Sequence, residues 1–400
     1  MIRLGIVVPR YGTEVLGGAE TFARCFAEHL PPTDFQVTIL STCARDLLTW
    51  RNEAPPGESL VNGLRVLRFP IDNRRRDARL FRRLTDRANR GEPVGAEDQA
   101  AWLEHSAHSP ELYRHLARDG PDYDLLLFLP YLFGTTIYGS AIWPAKSVIC
   151  PCLHDEPYAY FTDIRLMLQA ARGLMFISAP EQALAEKKLG VLHPAARLVG
   201  FGLDQFSADP ERFRQKYSIH EPFMLYAGRL APAKNVPQLI SYFLAYRQRH
   251  PEQPIKLVLA GSGPLSLPDH PDLRPLGFLP QQDLYDAYAA ATVFCQPSLL
   301  ESFSIVLMEA WLAGRPVLVH GHCAVTCHHV LQSNGGLYYT SPAEFCSALG
   351  YILDHPQHGQ RMGAQGRAYV HREFNWPATL GRFREALARS WAGHFTEKAP

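Results

Sequence analysis

The first half of the chain alternates short apolar runs with segments of helical periodicity. Continuous apolar runs of strand length fit strands that are covered on both faces, as in a parallel sheet. The predicted strands of this half are Leu4–Val8, Gln36–Ser41, Leu64–Phe69, Leu125–Leu129, Ser147–Cys150 and Gly173–Ile177. Between the first two lies Ala19–Leu30, whose apolar residues recur at helical spacing. This βαβ start, repeated along the chain, predicts a doubly wound sheet.

The second half repeats the same alternation. Its predicted strands are Phe223–Ala227, Ile255–Ala260, Val293–Gln296 and Pro316–Val319, and its predicted helices are Pro237–Arg249, Gln281–Ala289 and Phe303–Ala313. A Gly-containing, polar stretch at 200–215 separates the halves, and a last helix is predicted over about 376–392. A length of 400 residues also favours two domains. We therefore expect α/β domains over residues 1–200 and 201–375.

Composition and charge narrow the class of protein. Hydrophobic residues make up 46% and charged residues 20%, which excludes a disordered chain. The formal net charge of +1 provides no basic footprint for nucleic acid. No apolar run is long enough to span a bilayer, and the start Met1–Pro9 is typical of a buried strand rather than a signal peptide. We expect a cytoplasmic globular protein without a disulfide scaffold.

Two groups of cysteines and histidines invite a metal interpretation. Cys150 and Cys152 are separated by one residue, which is not the spacing of a zinc knuckle. The second group consists of Cys323, Cys327, His328 and His329. Cysteine and histidine are soft and borderline ligands, but His328 and His329 are adjacent, so a zinc site built from this group would need an unusual geometry. Buried thiols and ordinary loop histidines are the favoured interpretation, so no metal site is predicted.

An arginine-rich segment, 74–90, contains eight arginines and two acids. Leu80, Phe81, Leu84 and Ala88 can share one face of a helix, so the segment can form a basic amphipathic helix. Such a helix can dock on an anionic membrane surface. A solvated charged face on an ordinary helix is the alternative, and the sequence leaves the two open.

Three segments are suited to a phosphorylated, hydroxyl-rich ligand, and the first is Gly17-Gly18. These glycines open the first helix directly after the first strand and its loop. Backbone N–H groups at a helix N-terminus can approach an anion closely when no side chain intervenes. Simple turn formation by glycine explains the pair equally well.

The second segment, Gly228–Asn235, directly follows the predicted strand Phe223–Ala227. Arg229 and Lys234 therefore leave the carboxyl end of a strand, where open α/β sheets bind their ligands. Two cations with no acid nearby in sequence indicate an anion such as a diphosphate.

The third segment carries Glu301 and Glu309, eight residues apart. If both lie on the predicted helix, the helical rise separates them by about 12 Å. That distance suits one carboxylate on a sugar and the other on a ribose, with the phosphates near the helix N-terminus. Because burying a glutamate without a partner is costly, both glutamates are expected to face a ligand.

Together these motifs resemble glycosyltransferase family 4, the retaining enzymes of glycosyl transferases group 1 with the GT-B fold. The matching patterns are Gly-Gly-Ala-Glu at 17–20, Gly-Arg-Leu-x3-Lys-Asn at 228–235 and Glu-x7-Glu at 301 and 309. The resemblance covers nearly the whole chain in the same order. It implies two Rossmann-like doubly wound domains facing each other across a cleft. The first would serve the acceptor, the second would bind the nucleotide-sugar, and the last helix would pack back on the first.

The resemblance also implies roles for individual residues. Catalytic roles fall on Arg229 and Lys234 at the donor diphosphate, Glu301 at the sugar hydroxyls and His154 near the reacting carbon. Glu309 would bind the ribose. The remaining implied donor contacts are Gly17, Gly18, Gly228, Gly277, Phe278, Phe303, Ser304 and Ile305. The leaving phosphate would take the acceptor's proton, which agrees with the lack of a nucleophile elbow in the sequence. No cofactor or metal is implied, and the donor would be GDP- or UDP-linked.

Two positions depart from the family pattern. Ser304 stands where many members have glycine. The loop expected after Pro316–Val319 lacks the usual Gly-Gly and acid, and instead contains His328 and His329. We expect this loop over the donor sugar, so a contact from either histidine is one hypothesis and ordinary loop residues are the other.

The leading hypothesis is a retaining hexosyltransferase of cell-surface polysaccharide or glycolipid synthesis, using mannose- or glucose-type donors. Its partners would be a nucleotide-sugar, a glycan or lipid-linked acceptor and, through Arg74–Arg90, the inner face of the plasma membrane. A nucleotide-sugar epimerase of the same architecture is the alternative enzyme. The third hypothesis is a catalytically idle glycan- or nucleotide-binding module.

Overall fold

The computed structural model describes residues 1–15, 17–47 and 49–391. The chain forms two compact units, which we call unit 1 (Met1–Gly202 and Thr379–Pro400) and unit 2 (Leu203–Ala378). Residue 392 of the predicted last helix lies outside the described residues.

Unit 1 contains an eight-stranded sheet. Its strands are β1 (Ile2–Val7), β2 (Phe35–Thr42), β3 (Gly57–Val61), β4 (Leu64–Phe69), β5 (Leu125–Phe128), β6 (Ser147–Ile149), β7 (Gly173–Phe176) and β8 (Ala196–Leu198). Its helices are α1 (Gly18–His29), α2 (Ala78–Asn89), α3 (Ala96–Glu104), α4 (Pro110–Asp119), α5 (Gly134–Ser140), α6 (Thr162–Ala170) and α7 (Ala179–Ala183).

The strand order of this sheet is β3-β4-β2-β1-β5-β6-β7-β8, and all pairs are parallel except the β3–β4 hairpin. Every residue of β5 and β7 is buried. This explains their uninterrupted apolar sequences, because helices cover both faces of the sheet. The order reverses between β1 and β5, so the loops after these two strands flank a topological switch point.

Unit 2 contains a six-stranded parallel sheet in the order β11-β10-β9-β12-β13-β14. Its strands are β9 (Phe223–Ala227), β10 (Lys256–Ala260), β11 (Leu273–Gly277), β12 (Val293–Gln296), β13 (Val317–His320) and β14 (Gly336–Tyr339). Its helices are α8 (Pro210–Tyr217), α9 (Val236–Arg249), α10 (Gln281–Ala290), α11 (Ile305–Leu312), α12 (Ala324–Ser333), α13 (Pro342–Asp354) and α14 (Pro356–Glu373). This order is that of a dinucleotide-binding sheet, with its switch point between β9 and β12.

The last helix, α15 (Trp376–Ala386), continues as a wider π-helical turn to Trp391. Within unit 1 its Phe383 packs edge-on against Phe26 of α1, at 4.8 Å between ring centroids. Trp391 donates from its indole nitrogen to the carbonyl of Ala195 at 3.0 Å. Aromatic burial therefore anchors this end of the chain in unit 1.

Two segments of unit 2 differ from the prediction. The helix predicted from Phe303 begins at Ile305, because Ser304 has a left-handed backbone (φ 72°) that interrupts it. Glu301 therefore lies in a loop, and the predicted separation of about 12 Å along one helix is wrong. The segment predicted as a loop carrying His328 and His329 folds as α12, since Val325, His329 and Val330 form a buried face.

Helix α2 contains the arginine-rich face, but its apolar residues do not face solvent. Leu84 and Ala88 are buried in unit 1, and the Phe81 ring stacks on Trp102 at 5.1 Å. The core of unit 1 already covers these apolar residues, so the face that α2 presents to solvent is its basic one. Among the described residues, the helices are all too short or too polar to span a bilayer.

Candidate functional site

In unit 2 the loops that follow β9 and β12, together with helix α11, carry most of the residues proposed to bind the donor. These strands are neighbours in the sheet, so their carboxyl ends lie side by side at the switch point. Asn235 joins the two loops, because its side-chain amide donates to the carbonyl of Pro297 at 3.1 Å. Chain segments about sixty residues apart thus form one surface.

Lys234 and Glu301 meet on this surface. The Lys234 ammonium lies 2.7 Å from Oε1 of Glu301, and the lysine side chain is 34% exposed against 11% for the glutamate. Gln296, the last residue of β12, donates its amide to the same Oε1 at 3.1 Å and to Oγ of Ser304 at 3.3 Å. Oε1 therefore has two donors. Among the described residues no hydrogen bond is recorded to Oε2, which leaves that oxygen available to hydroxyl groups of a ligand.

Gly228 and Arg229 lie at the carboxyl end of β9. The arginine is exposed, and within the described part of the chain its guanidinium makes no recorded hydrogen bond or ion pair. Its backbone carbonyl accepts from the Tyr226 hydroxyl at 2.8 Å. A Cβ on Gly261 would lie 1.9 Å from the carbonyl oxygen of Gly228. This backbone contact fixes the loop that presents Arg229, because only glycine fits there.

Phe303, Ser304 and Ile305 form the turn into α11. Phe303 is buried against Phe374, at 5.0 Å between ring centroids, and this packing holds the turn against the core of unit 2. The Ser304 side chain does not cap α11, although the Ser304 carbonyl accepts from the backbone N–H of Leu307 at 3.2 Å. Within the described residues no hydrogen bond is recorded for the N–H groups of Ile305 and Val306, and free N–H groups at a helix start form an arrangement suited to an anion.

Glu309 lies one turn into α11 and is half-buried. Burial raises the pKa of this carboxyl to about 7, and the Tyr288 hydroxyl, which donates to Oε2 at 3.1 Å, opposes the rise. A carboxyl with this pKa changes charge near neutral pH, so its charge responds to any ligand that hydrogen-bonds to it.

Gly277 ends β11 and Phe278 follows it, at the edge of the sheet on the side of β10. The carbonyl of Gly277 accepts from the backbone of Gly261 at 2.7 Å, and the Phe278 side chain is 61% exposed. An exposed aromatic ring beside a backbone turn is free to stack on a planar ligand.

The four residues considered for a metal site do not form one. Among the described residues, no group of three or more His, Cys, Asp and Glu side chains is placed to hold a metal ion. His329 is buried in α12, where its Nδ1 lies 3.0 Å from the Tyr369 hydroxyl. Burial lowers its pKa to about 3, so the ring is neutral. Its side chain belongs to the core beneath Phe303, and a sugar contact through His329 is therefore excluded by burial.

In unit 1, Gly17 and Gly18 begin α1 as predicted, but a carboxylate already lies at this helix start. Glu20 is buried and pairs with Arg10 at 2.6 Å. A Cβ on Gly17 would lie 2.0 Å from Oε2 of Glu20, whereas one on Gly18 would meet nothing within 4 Å. An anion approaching this turn would therefore meet the open side at Gly18, next to a neutralised ion pair.

His154 lies in the loop after β6. Its Nδ1 is 3.6 Å from Oε1 of Glu156, and the same oxygen accepts from the Tyr131 hydroxyl at 2.7 Å. The imidazole is 28% exposed, so it can reach a ligand. Tyr131 belongs to the loop after β5, and the hydrogen bond therefore joins two neighbouring strand ends.

Sequence reasoning missed several residues of these groups. Gln296 and Tyr288 contact the two glutamates, yet the sequence places them within a predicted strand and a predicted helix without further signal. Gly261 and Gly263 follow a predicted strand, and that position could have identified them.

Residues 221–355 match the family described as Glycosyl transferases group 1. D-inositol 3-phosphate glycosyltransferase of Corynebacterium glutamicum is 31% identical over 201 residues, covering 44% of this chain and 47% of that protein. The GDP-mannose-dependent alpha-(1-6)-phosphatidylinositol monomannoside mannosyltransferase of Mycolicibacterium smegmatis is 27% identical over 211 residues, covering 47% and 54%. The chain thus spans about half the length of the curated relatives that it matches.

The structural comparison covers nearly the whole chain. HepE of Anabaena, solved in complex with UDP-glucose, aligns with a TM-score of 0.69 over 97% of this chain and 100% of that one, at 16% identity. At this identity the likeness concerns the fold. It confirms the predicted class, two Rossmann-like α/β domains of GT-B type.

Proposed function

We propose that the chain is a retaining glycosyltransferase, because residues 221–355 match the family described as Glycosyl transferases group 1. It moves a hexose from a GDP- or UDP-linked donor to a glycan or glycolipid acceptor of the cell surface. The observation that carries the proposal is the 2.7 Å pairing of Lys234 with Glu301 at a switch point, beside the exposed Arg229. A relative named for GDP-mannose and a structural neighbour solved with UDP-glucose support this donor class.

In the proposed reaction, unit 2 binds the nucleotide and the sugar. Arg229 and Lys234 meet the charge that develops on the leaving diphosphate, and preorganised cations of this kind are the main source of rate in such a site. Oε2 of Glu301 accepts from hydroxyls of the sugar, and Glu309 accepts from the ribose. The proposed contacts of unit 1 are Gly18, with Gly17, at a phosphate and His154 at the reacting sugar.

The bond changes need no protein nucleophile. The bond from the sugar carbon to the diphosphate oxygen breaks on the face where the acceptor hydroxyl attacks. The acceptor's proton passes to the departing diphosphate oxygen. Because attack and departure take place on the same face of the sugar, configuration at the reacting carbon is retained. The basic side chains stabilise the anion that accepts this proton.

The direct test is thermal unfolding with a panel of UDP, GDP, ADP and their sugar conjugates, each with and without Mg²⁺. A ligand at 100 times its dissociation constant adds about 2.7 kcal/mol to stability. For a domain of this size that corresponds to a rise in Tm of about 5–10 °C. The proposal expects one base to stand out, and no shift with any nucleotide would contradict it.

A matched pair of variants tests whether Arg229 acts at the diphosphate or only through its general surface charge. Arg229→Gln is expected to lower the transfer rate by on the order of 10²-fold, the loss typical of one preorganised charge contact. Arg361→Gln removes an equally exposed arginine of α14 and should leave the rate unchanged. Equal rates for the two variants would contradict the role of Arg229.

We also propose that the chain is cytoplasmic and binds the inner face of the plasma membrane through α2 by charge alone. Arg87 pairs with Asp98 at 2.9 Å, and Arg90 pairs with Glu92 at 2.6 Å. Arg79, Arg82 and Arg83 are exposed, and no ion pair is recorded for them within the described residues. Their positive charge is therefore available to anionic headgroups, at about 1 kcal/mol per residue.

Vesicles of anionic and of neutral phospholipid test this part of the proposal. Replacing Arg79, Arg82 and Arg83 with glutamine should weaken binding to anionic vesicles by on the order of 100-fold, following from about 3 kcal/mol. The control replaces Arg51, Arg274 and Arg361, which are exposed elsewhere, and should bind like the unmodified chain. Unchanged binding of the α2 variant would remove the membrane contact.

A further inference from the structure

Glu181 is a buried carboxyl that joins the ends of two neighbouring strands of unit 1. It is 1% exposed and lies in α7, directly after β7. Its Oε1 accepts from the backbone of Leu153, which follows β6, and its Oε2 accepts from the backbone of Ile177, which follows β7; both distances are 2.8 Å. Each carboxylate oxygen therefore holds a different strand end.

The loop that Glu181 holds has a backbone that needs support. Cys152 precedes Leu153 and has a φ of 53°, which is unfavourable for a residue with a side chain. Such a conformation persists only where its surroundings determine it. Burial raises the pKa of Glu181, and the backbone N–H groups of Ile177, Leu153, Ser178 and Cys152 oppose that rise because they hydrogen-bond to the ionised form. Those amides converge on the carboxylate from both strand ends.

His154 is the next residue of this loop. On the C-terminal side of His154, the backbone N–H of Glu156 donates to the carbonyl of His154 at 2.9 Å. Glu156 is in turn held by the Tyr131 hydroxyl. His154 therefore lies between two anchors, Glu181 before it and Glu156 after it, while its own imidazole stays partly exposed. A carboxylate that contacts only backbone can fix this imidazole without touching a substrate.

We propose that Glu181 is a positioning residue that holds His154 in place for the transfer reaction, by fixing the backbone of Cys152 and Leu153. The inference rests on the proposed function, in which His154 faces the reacting sugar. Glu181 acts through the loop and makes no contact with donor or acceptor.

Glu181→Gln tests the proposal, because glutamine keeps the shape but has one acceptor oxygen and turns an NH₂ group toward a backbone N–H. The expected result is a fall in kcat of about tenfold or more, with the donor KM and the nucleotide Kd unchanged within about twofold. In His154→Ala the same change should cost nothing further, so the double variant is no slower than His154→Ala alone. Multiplying losses would show that Glu181 acts independently of His154 and would overturn the proposal.

Unit 2 offers a matched control. Ser341 and Glu344 repeat the arrangement of Ser178 and Glu181, with a serine hydroxyl accepting from the backbone N–H of the glutamate three residues later. Glu344 is exposed, and its carboxylate accepts from the backbone N–H and the hydroxyl of Thr340 instead of joining two strand ends. Glu344→Gln should leave kcat unchanged, and a loss equal to that of Glu181→Gln would indicate a general effect of removing a helix-start carboxylate.

Hydrogen exchange decides the structural step without any transferase assay. In Glu181→Gln the backbone amides of Leu153 and Ile177 should exchange at least tenfold faster, while those of β9 in unit 2 are unchanged. Unchanged protection of Leu153 would overturn the proposal even if activity falls. If the unmodified chain transfers no sugar, the proposed function fails, and the exchange of Leu153 still shows whether Glu181 controls the loop.

Discussion

At the scale of single residues, the two oxygens of Glu301 differ in their surroundings. Oε1 receives both Lys234 and Gln296, so the amide of Gln296 selects which oxygen remains available. Gln296→Leu removes that donor while keeping a residue of similar size. We expect the affinity for the nucleotide-sugar to fall by at least about tenfold, because a hydrogen bond to a charged group is worth about 1.5–3 kcal/mol. Calorimetric titration with the sugar conjugate measures this loss.

The free nucleoside diphosphate is the control for this prediction. Gln296 contacts the carboxylate proposed to bind the sugar, so the affinity for the nucleotide without its sugar should change by less than about twofold. Equal losses for both ligands would show that Gln296 supports the whole site rather than the position of Glu301.

The raised pKa of Glu309 predicts that nucleotide affinity depends on pH. Its pKa is raised to about 7, so the carboxyl is partly protonated at neutral pH. Ribose hydroxyls donate to the ionised form, and binding therefore releases a proton and strengthens as the pH rises toward the pKa. We expect nucleotide affinity to increase several-fold between pH 6 and pH 8, with a plateau above. Titrations at four or five pH values measure this dependence.

Glu309→Gln removes the titrating group and should flatten the pH dependence of nucleotide affinity. A pH dependence of affinity that persists in Glu309→Gln would have another origin.

The raised pKa of Glu309 also makes folding stability depend on pH. Between about pH 4.5 and pH 7 the folded state still binds a proton that the unfolded state has released. The contribution of Glu309 to stability is therefore lost as the pH rises through that window.

The partners of these glutamates could not be predicted from sequence. Gln296 ends a strand whose residues are all buried, and nothing in an apolar run signals that its last side chain turns toward a loop. Tyr288 reaches Glu309 from another helix, a contact that depends on packing. Glu301, Lys234 and Arg229 were identifiable, because charged residues at strand ends stand out from their surroundings.

At the scale of elements, buried strands were the most predictable part of the fold. β9 and β12 have the bounds that their apolar runs predict, since both faces of these strands are covered. The bounds of β4 also match the prediction, although only Val66 of that strand is buried. The edge strands β3, β8, β11 and β14 were missed because they are short and at most partly buried. The start of α11 was placed two residues early, because the left-handed turn at Ser304 has no signature in a residue other than glycine.

The contact between the loops after β9 and β10 gives a prediction at this scale. A Cβ on Gly261 would lie 1.9 Å from the carbonyl oxygen of Gly228, and Gly261 has a φ of 145°. Gly261→Ala must push the Arg229 loop away, so we expect a lower Tm together with a nucleotide affinity at least tenfold weaker. Thermal unfolding and titration of the same samples measure both effects.

Gly381→Ala is the control for this substitution. Gly381 lies in α15 with nothing within 4 Å of its added Cβ. Alanine should stabilise that helix by about 0.5–1 kcal/mol and leave nucleotide affinity unchanged. If Gly261→Ala kept full affinity, the backbone contact would not control the position of Arg229.

At the scale of the whole molecule, the two units have sheets of similar strand order, but the family match lies in only one of them. Both sheets reverse their order at a central strand pair, and candidate residues follow strands near that reversal in each. The family match covers residues 221–355, which lie entirely within unit 2. The proposed nucleotide contacts with charged side chains, Arg229, Lys234 and Glu309, belong to the same unit. Nucleotide binding should therefore act on the stability of unit 2 in particular.

Hydrogen exchange of core amides tests this allocation. At 100 times its dissociation constant, a nucleotide held mainly by unit 2 should slow the exchange of β9 and β12 amides about 100-fold, since they exchange only when the unit unfolds. Amides of β1 and β5 in unit 1 should slow much less, because only Gly17 and Gly18 of that unit are proposed to contact the nucleotide. Each unit has its own buried sheet and core, so each can open separately. Equal slowing in both sheets would show that the units unfold together or that both bind the nucleotide equally, and either result would contradict the assignment of most nucleotide binding to unit 2.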